Sequence, residues 1–201
     1  MNTTYLAMAT FALVTSISPG PVNILATVSG ANHGYIKSVP HILGATSGFV
    51  ALLFLSGLGL SGFIQTVPGG LSILSYSGSA FLLYLSYKVA YSEISDNGFV
   101  DHLAAPTFLQ GAMCQGLNPK AWIVSLSATA LFIGEGALEY SQLLAFCGLF
   151  FLVCYSSIST WAVFGTLLKR VLQNPDHHRR FNQIMGGLLA SVVVYTLIIS
   201  A

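Results

Sequence analysis

The chain has 201 residues, 54% of them hydrophobic and only 6% charged, with a formal net charge of +1. A soluble domain carries about 25% charged residues, so this composition excludes a water-facing globular surface and predicts a polytopic helical membrane protein. No nucleic-acid partner, cofactor or bound metal is expected from it.

Six apolar stretches follow one another, at residues 5–29, 39–64, 71–91, 108–133, 142–168 and 181–201. Each reaches the roughly 20 residues that a helix needs to cross a bilayer core. The amino terminus, Met1-Asn2-Thr3-Thr4, has no Lys or Arg. A cleaved signal peptide needs a basic start, so the first stretch is expected to be a retained span. Cys114, Cys147 and Cys154 lie within predicted spans and are expected to behave as small apolar residues.

The first span is interrupted by Ser18-Pro19-Gly20-Pro21. Proline removes a backbone donor and clashes with the preceding turn. The predicted form is a half-helix to about Ile17, a break in which Gly20 supplies backbone freedom, and a second half-helix starting at Pro21. Span 2 carries His41 near its start and the spacing Gly44-x-x-x-Gly48. Similar small-residue spacings occur at Gly30-x-x-x-Gly34, Ser75-x-x-x-Ser79 and Gly186-x-x-x-Ala190. They let helix backbones approach closely, either inside one bundle or across the face of a homo-oligomer. Span 3 ends on Tyr84, Tyr87 and Tyr91, the composition of an interfacial aromatic belt.

Residues 92–105 form the most acidic and turn-rich stretch and read as a cytoplasmic linker between two halves, 1–91 and 106–201, of a single transmembrane domain. Span 4 breaks at Asn118-Pro119-Lys120, with Pro119 a hundred residues after Pro19. There Asn118 is expected to take a left-handed cap. Trp161 falls in the middle of span 5, where packing and pocket lining are both open readings. His177 and His178 lie in the last loop and read as solvated residues, since no third metal ligand lies nearby.

Three spans per half is an odd number, so two similar halves must enter the membrane in opposite directions. The predicted architecture is therefore six transmembrane helices in two inverted three-helix repeats, with helices 1 and 4 broken by proline. Lys37, Lys88, Lys169, Arg170, Arg179 and Arg180 cluster in the connections 1–2, 3–4 and 5–6. Basic short loops stay in the cytoplasm, which puts both termini outside.

Paired breaks in matching segments point to a binding site near the bilayer centre. Each break sets the positive end of one half-helix beside the negative end of another, a pattern suited to a zwitterion such as a small amino acid. The expected substrate-binding residues are Pro19, Gly20, Pro21, Asn23, Asn118, Pro119 and Lys120. Lys120 lies about 12 residues from either end of its span, roughly 18 Å at ~1.5 Å per residue. A central ammonium costs at least ~2.5–3.5 kcal/mol, so it needs a partner: the substrate carboxylate, the carbonyls of the preceding half-helix, or an exchanged proton. Every Asp and Glu falls outside the spans, leaving His41 and Lys120 as candidates for coupling transport to protons. For His41 the plainer reading is a hydrogen-bonded interfacial residue. No Gly-x-Ser-x-Gly, His-Glu-x-x-His or paired intramembrane aspartate is present, so an enzyme is not expected. An uncoupled channel or a membrane assembly factor is the alternative to a transporter.

The stretches Ser18-Pro19-Gly20-Pro21-Val22-Asn23-Ile24-Leu25, His33-Gly34, Gly44-x-x-x-Gly48, Gly78-Ser79-Ala80-Phe81-Leu82-Leu83-Tyr84-Leu85, Phe108-Leu109-Gln110-Gly111 and Leu117-Asn118-Pro119-Lys120-Ala121 resemble the lysine exporter / homoserine-threonine resistance (LysE/RhtB) family. The resemblance runs in order over essentially the whole chain. It implies a six-span exporter of amino acids or derivatives in the bacterial inner membrane, driven by the proton gradient. Many relatives carry Asp just after the second glycine of the span 2 motif, where this chain has Phe49. Phe49, Asn23-Ile24-Leu25-Ala26 and His33-Gly34 are closer to the branch that exports cysteine and O-acetylserine, implying small neutral cargo.

Overall fold

The computed structural model describes residues 2–59, 70–92, 105–132, 140–169 and 171–200. Among them are eight α-helices, one short 3-10 turn at Val171–Gln173 and no strand. The helices are α1 (Asn2–Ile17), α2 (Pro21–His33), α3 (Tyr35–Gly57), α4 (Gly70–Ala90), α5 (Phe108–Gly116), α6 (Pro119–Phe132), α7 (Tyr140–Leu168) and α8 (Pro175–Ser200). The linker expected at 92–105 lies almost wholly outside the described residues, as do Arg170 and the connections after α3 and α6.

Among the described residues, α3, α7 and residues 175–198 of α8 are long and apolar enough to cross a membrane. The pair α1 and α2, bent by 59° at residues 18–20, makes a fourth crossing when counted as one span. α4 is less apolar because Ser72, Ser75, Ser77, Ser79, Ser86 and Lys88 dilute it. α5 is nine residues long and carries Gln110 and Gln115.

Polarity is distributed inside out. Leu6, Leu13, Ile36, Ile73, Leu109, Leu131, Leu152, Leu167 and Ile198 are exposed, whereas Asn23, Thr27, Asn32, His41, Thr46, Ser125 and Asn182 are buried. A lipid-solvated bundle has this surface, because polar groups cannot be left facing acyl chains. α2 is the central element, buried from Pro21 to Asn32 except at Leu25. Its Val22 and Ala26 join the main core with α1, α3, α5, α6 and α7. Its Ile24 and Val28 meet Leu82 and Val89 of α4 and Met185, Leu189 and Val193 of α8 in a second cluster.

The small residues are used within the chain. A methyl group at Gly30 would overlap the Ala162 carbonyl of α7, and one at Gly165 would overlap the Thr27 carbonyl of α2. Gly44 and Gly48 of α3 face the Phe108 and Ala112 carbonyls of α5, while Gly111 of α5 faces the His41 carbonyl. Gly186 of α8 packs on Ser86 of α4, whose hydroxyl donates to the Gly186 carbonyl at 2.7 Å. Gly34 turns the chain between α2 and α3 at φ 83°, a left-handed conformation that favours glycine.

The basic end of the bundle is tied by polar contacts. His178 Nε2 lies 2.6 Å from Asn32 Oδ1, and Asn182 Nδ2 donates to Ser92 Oγ at 2.8 Å. His178 is therefore buried rather than solvated, because the first turn of α8 folds back onto the end of α2; His177 is exposed. His41 also departs from expectation. It is 2% exposed and neither ring nitrogen has a partner, since α3 is pressed onto α5 along the glycine contacts and buries it.

Candidate functional site

Both expected breaks are present. α1 stops at Ile17 and α2 starts at Pro21; α5 stops at Gly116 and α6 starts at Pro119. Proline at the first helical position forgoes only a donor that would have been unpaired. Two residues work differently from expectation. Gly20 is extended, at φ −159°, a conformation open to any residue, so backbone freedom is not its role. A methyl group there would lie 3.2 Å from Lys120 Nζ and 3.3 Å from its Cδ. Gly20 is small to admit Lys120. Among the described residues none other than glycine has a positive φ, so Asn118 does not form a left-handed cap. It caps the following helix instead: its Oδ1 accepts from Lys120 N–H at 3.1 Å, and its carbonyl accepts from Ala121 and Trp122.

Lys120 reaches across to the other break. Its Nζ donates to Ser18 Oγ at 2.7 Å and to the Ser18 carbonyl at 3.1 Å. The carbonyl it serves thus belongs to Ser18, just past the end of α1, and not to the preceding half-helix α5. That half-helix is served by Trp122, whose indole N–H donates to the Gly116 carbonyl at 2.8 Å. The end of α1 has two more donors. Asn23 Nδ2 reaches the Ser16 and Ser18 carbonyls at 2.8 and 2.9 Å, and Trp161 Nε1 reaches the Ile17 carbonyl at 3.0 Å. Trp161 is accordingly a cap on the first break. Asn23 and Asn118 spend their amide donors inside the protein, the latter on Gln115 Oε1 at 3.2 Å.

Asn23→Ala would strip two donors from the end of α1 at once. An orphaned buried polar group costs about 1–3 kcal/mol, so a clear fall in thermal stability of the purified protein is expected, larger for Asn23→Asp, which sets a carboxylate against those carbonyls.

A small cavity of about 40 Å³ lies between the breaks, lined by Ser16, Gly20, Asn23, Gln115, Asn118 and Lys120 with Phe49 and Cys154 on its walls. That is far below the roughly 300–1,000 Å³ of small-molecule sites, so the two breaks would have to part to admit a cargo molecule. At α6 the first turn is already served by Asn118, whereas no side chain caps the start of α2. The positive end open to an anion is therefore that of α2, flanked by the Lys120 ammonium. Thr15, Ser16 and Gln115 also line the cavity, with the Gln115 side-chain oxygen already accepting from Asn118. Pro19, Pro21 and Pro119 are not among the lining residues; the first follows the end of α1 and the other two start α2 and α6. His41 lies beside a different cavity, so the two expected coupling residues are not brought together.

Sequence reading missed Phe49 as a wall. Its ring stands 5.1 Å from Phe150, which leads through Phe146 and Phe132 to Phe11 at centroid separations of 5.0–5.6 Å. This aromatic stack borders the cavity on the side away from the basic end. Its members come from four helices, and no spacing within one segment could reveal them. Gln115 and Cys154 were missed likewise, since only the fold aims them at the breaks.

The family model described as LysE type translocator matches residues 13–200. The chain belongs to the LysE family. The resemblance read from the two proline breaks is thereby borne out, and a translocator is not an enzyme. This LysE type translocator is 30% identical over 197 residues to a protein of Escherichia coli strain K12 named cysteine/O-acetylserine efflux protein, covering 94% of this chain and 93% of that one. A protein of the same name from Shigella flexneri serotype 5b matches equally, and one from Escherichia coli O139:H28 is 30% identical over 191 residues. No solved structure matches.

Proposed function

We propose that this translocator exports small neutral amino acids or close derivatives across the bacterial inner membrane, with the cavity between the breaks as the cargo site. The observation that carries the reading is the Lys120 ammonium, which spans both breaks and faces the open start of α2. A cargo carboxylate would replace Ser18 on Lys120 and lie at the end of α2, while the cargo ammonium would face Thr15, Ser16 and Gln115. The names of the relatives support cysteine and O-acetylserine as the first cargoes to try.

Transport is assigned to rocking of two inverted halves, 1–91 and 106–201. The helix pairing supports this. α1 packs on α7 as α5 packs on α3, and α2 packs on α7 as α6 packs on α3. Likewise α2 touches α8 as α6 touches α4, and the pairs α3–α7 and α4–α8 each match themselves. Exchanging the halves leaves this set of contacts in place. The basic end is assigned to the cytoplasm and both termini to the periplasm. The glycines at 30, 44, 48 and 186 are consumed inside the bundle, so a homo-oligomer would use another face.

Proton coupling is assigned first to Lys120, the expected coupling residue that lines the cargo cavity, with His41 on the path from the basic end. The test is counterflow in proteoliposomes. Labelled O-acetylserine should exchange saturably, and an imposed proton gradient should drive it uphill until the gradient is collapsed. Bilayer conductance without saturable exchange would sink the reading in favour of a pore.

A further inference from the structure

A second cavity, about 280 Å³, lies at the basic end between α2, α3, α4 and α5. Val28 and Phe81 make part of an apolar wall, and Ser29, Asn32, His41 and Lys88 are among its polar groups. Two of the buried polar side chains have partners: Ser29 Oγ lies 2.6 Å from Ser38 Oγ, and Asn32 Oδ1 lies 2.6 Å from His178 Nε2. His41 has none for either ring nitrogen, though it is 2% exposed. A neutral imidazole has one donor and one acceptor, and leaving them buried and unpaired is costly. Such a group on a cavity wall is a binding group without its ligand. Lys88 is exposed and rests over the Tyr84 ring at 5.4 Å. Asp176 is the one carboxylate among the described residues and does not line this cavity; Lys88 is the ammonium that does.

The two cavities are stacked along shared helices. α3 gives Phe49 to the break cavity and His41 to this one, eight residues or roughly 12 Å apart at ~1.5 Å per residue. α2 gives Asn23 to the first and Asn32 to the second. We propose that the basic-end cavity is a second cargo site, where a small zwitterionic amino acid docks before passing to the breaks. Its carboxylate pairs with Lys88 and its ammonium with the acceptor nitrogen of His41. This rests on the break cavity being the first cargo site.

The test is equilibrium dialysis of the full-length protein in nanodiscs against radiolabelled O-acetyl-L-serine. Two molecules per chain are expected at saturation. Lys120→Met should lose one, His41→Leu the other, and the double variant both, each loss meaning at least a tenfold weaker site. His41→Gln keeps a donor and an acceptor and should retain both sites. Should His41→Leu fail to run as a monodisperse species, Lys88→Glu at the exposed mouth serves in its place. One molecule per chain that survives the substitution at 41 or 88 but not Lys120→Met overturns the second site alone. One molecule that survives Lys120→Met but not the other change sinks the break cavity and leaves this site standing. A single molecule lost with either substitution, or no saturable binding, overturns the proposal.

Discussion

Lys120→Met should reduce efflux about 10- to 100-fold while the protein remains inserted and folded. Methionine keeps the length of the stem and its packing beside Gly20, but removes the ammonium that reaches both Ser18 oxygens. Hydrogen bonds to charged groups contribute about 1.5–3 kcal/mol, and each ~1.36 kcal/mol is tenfold in rate. Fold should survive, because Asn23 and Trp161 still cap α1. The kinetic form of the loss distinguishes two roles. If the ammonium only holds cargo, KM for counterflow rises and the pH dependence of the maximal rate is unchanged. If it exchanges the coupling proton, the maximal rate falls and uphill transport ceases to follow the proton gradient. Gly20→Ala gives a graded control, since its methyl group would press on the movable tip of Lys120 and not on backbone. A modest loss is expected there. Wild-type efflux from Lys120→Met would end the assignment of the break cavity as the cargo site.

The breaks were legible because proline acts locally. Pro19, Pro21 and Pro119 forbid a continuous ladder whatever surrounds them, and the helix limits at Ile17, Pro21 and Pro119 follow. The residues on either side were less legible, because their roles depend on the partner brought opposite. From sequence, Gly20 reads as a hinge and Asn118 as a left-handed cap; the fold makes one a gap for Lys120 and the other an N-cap. Lys120 itself was found by depth, but its partner Ser18 is 102 residues away, and nothing in either segment announces that pairing. His178 shows the same limit: its neighbours in sequence are polar, whereas its burial comes from Asn32 on another helix. The aromatic stack from Phe49 to Phe11 is collective and leaves no periodic trace in any one span. Local breaks and overall apolarity survive in one dimension, and cross-helix partners do not.

The largest effect on stability is expected where α2 crosses α7. Gly30 and Gly165 face each other's helix so closely that a single methyl group on either would overlap a main-chain carbonyl, of Ala162 in one case and Thr27 in the other. Thr166 seals the same crossing, its hydroxyl donating to the Ala162 carbonyl at 2.9 Å and to that of Gly30 at 3.3 Å. A helix backbone cannot yield as a side-chain tip can, so the whole crossing must open. Membrane helices are held together by close packing and not by expulsion of water, and overpacking costs about 1–3 kcal/mol or more. Gly30→Ala and Gly165→Ala should each lower the melting temperature sharply, and Gly30→Leu should abolish recovery of monodisperse protein. Gly148, on α7 as well, and Gly187 on α8 have nothing within 4 Å of an added methyl group. Alanine at either should be neutral or stabilising by about 0.4–1 kcal/mol. Because α2 and α7 belong to opposite halves of the proposed repeat, this crossing is one of those that the proposed rocking would have to move. A Gly165→Ala protein that still folds should therefore lose counterflow out of proportion to its lost stability, whereas equal melting temperatures at positions 148 and 165 would show that the close approach is not what holds the bundle.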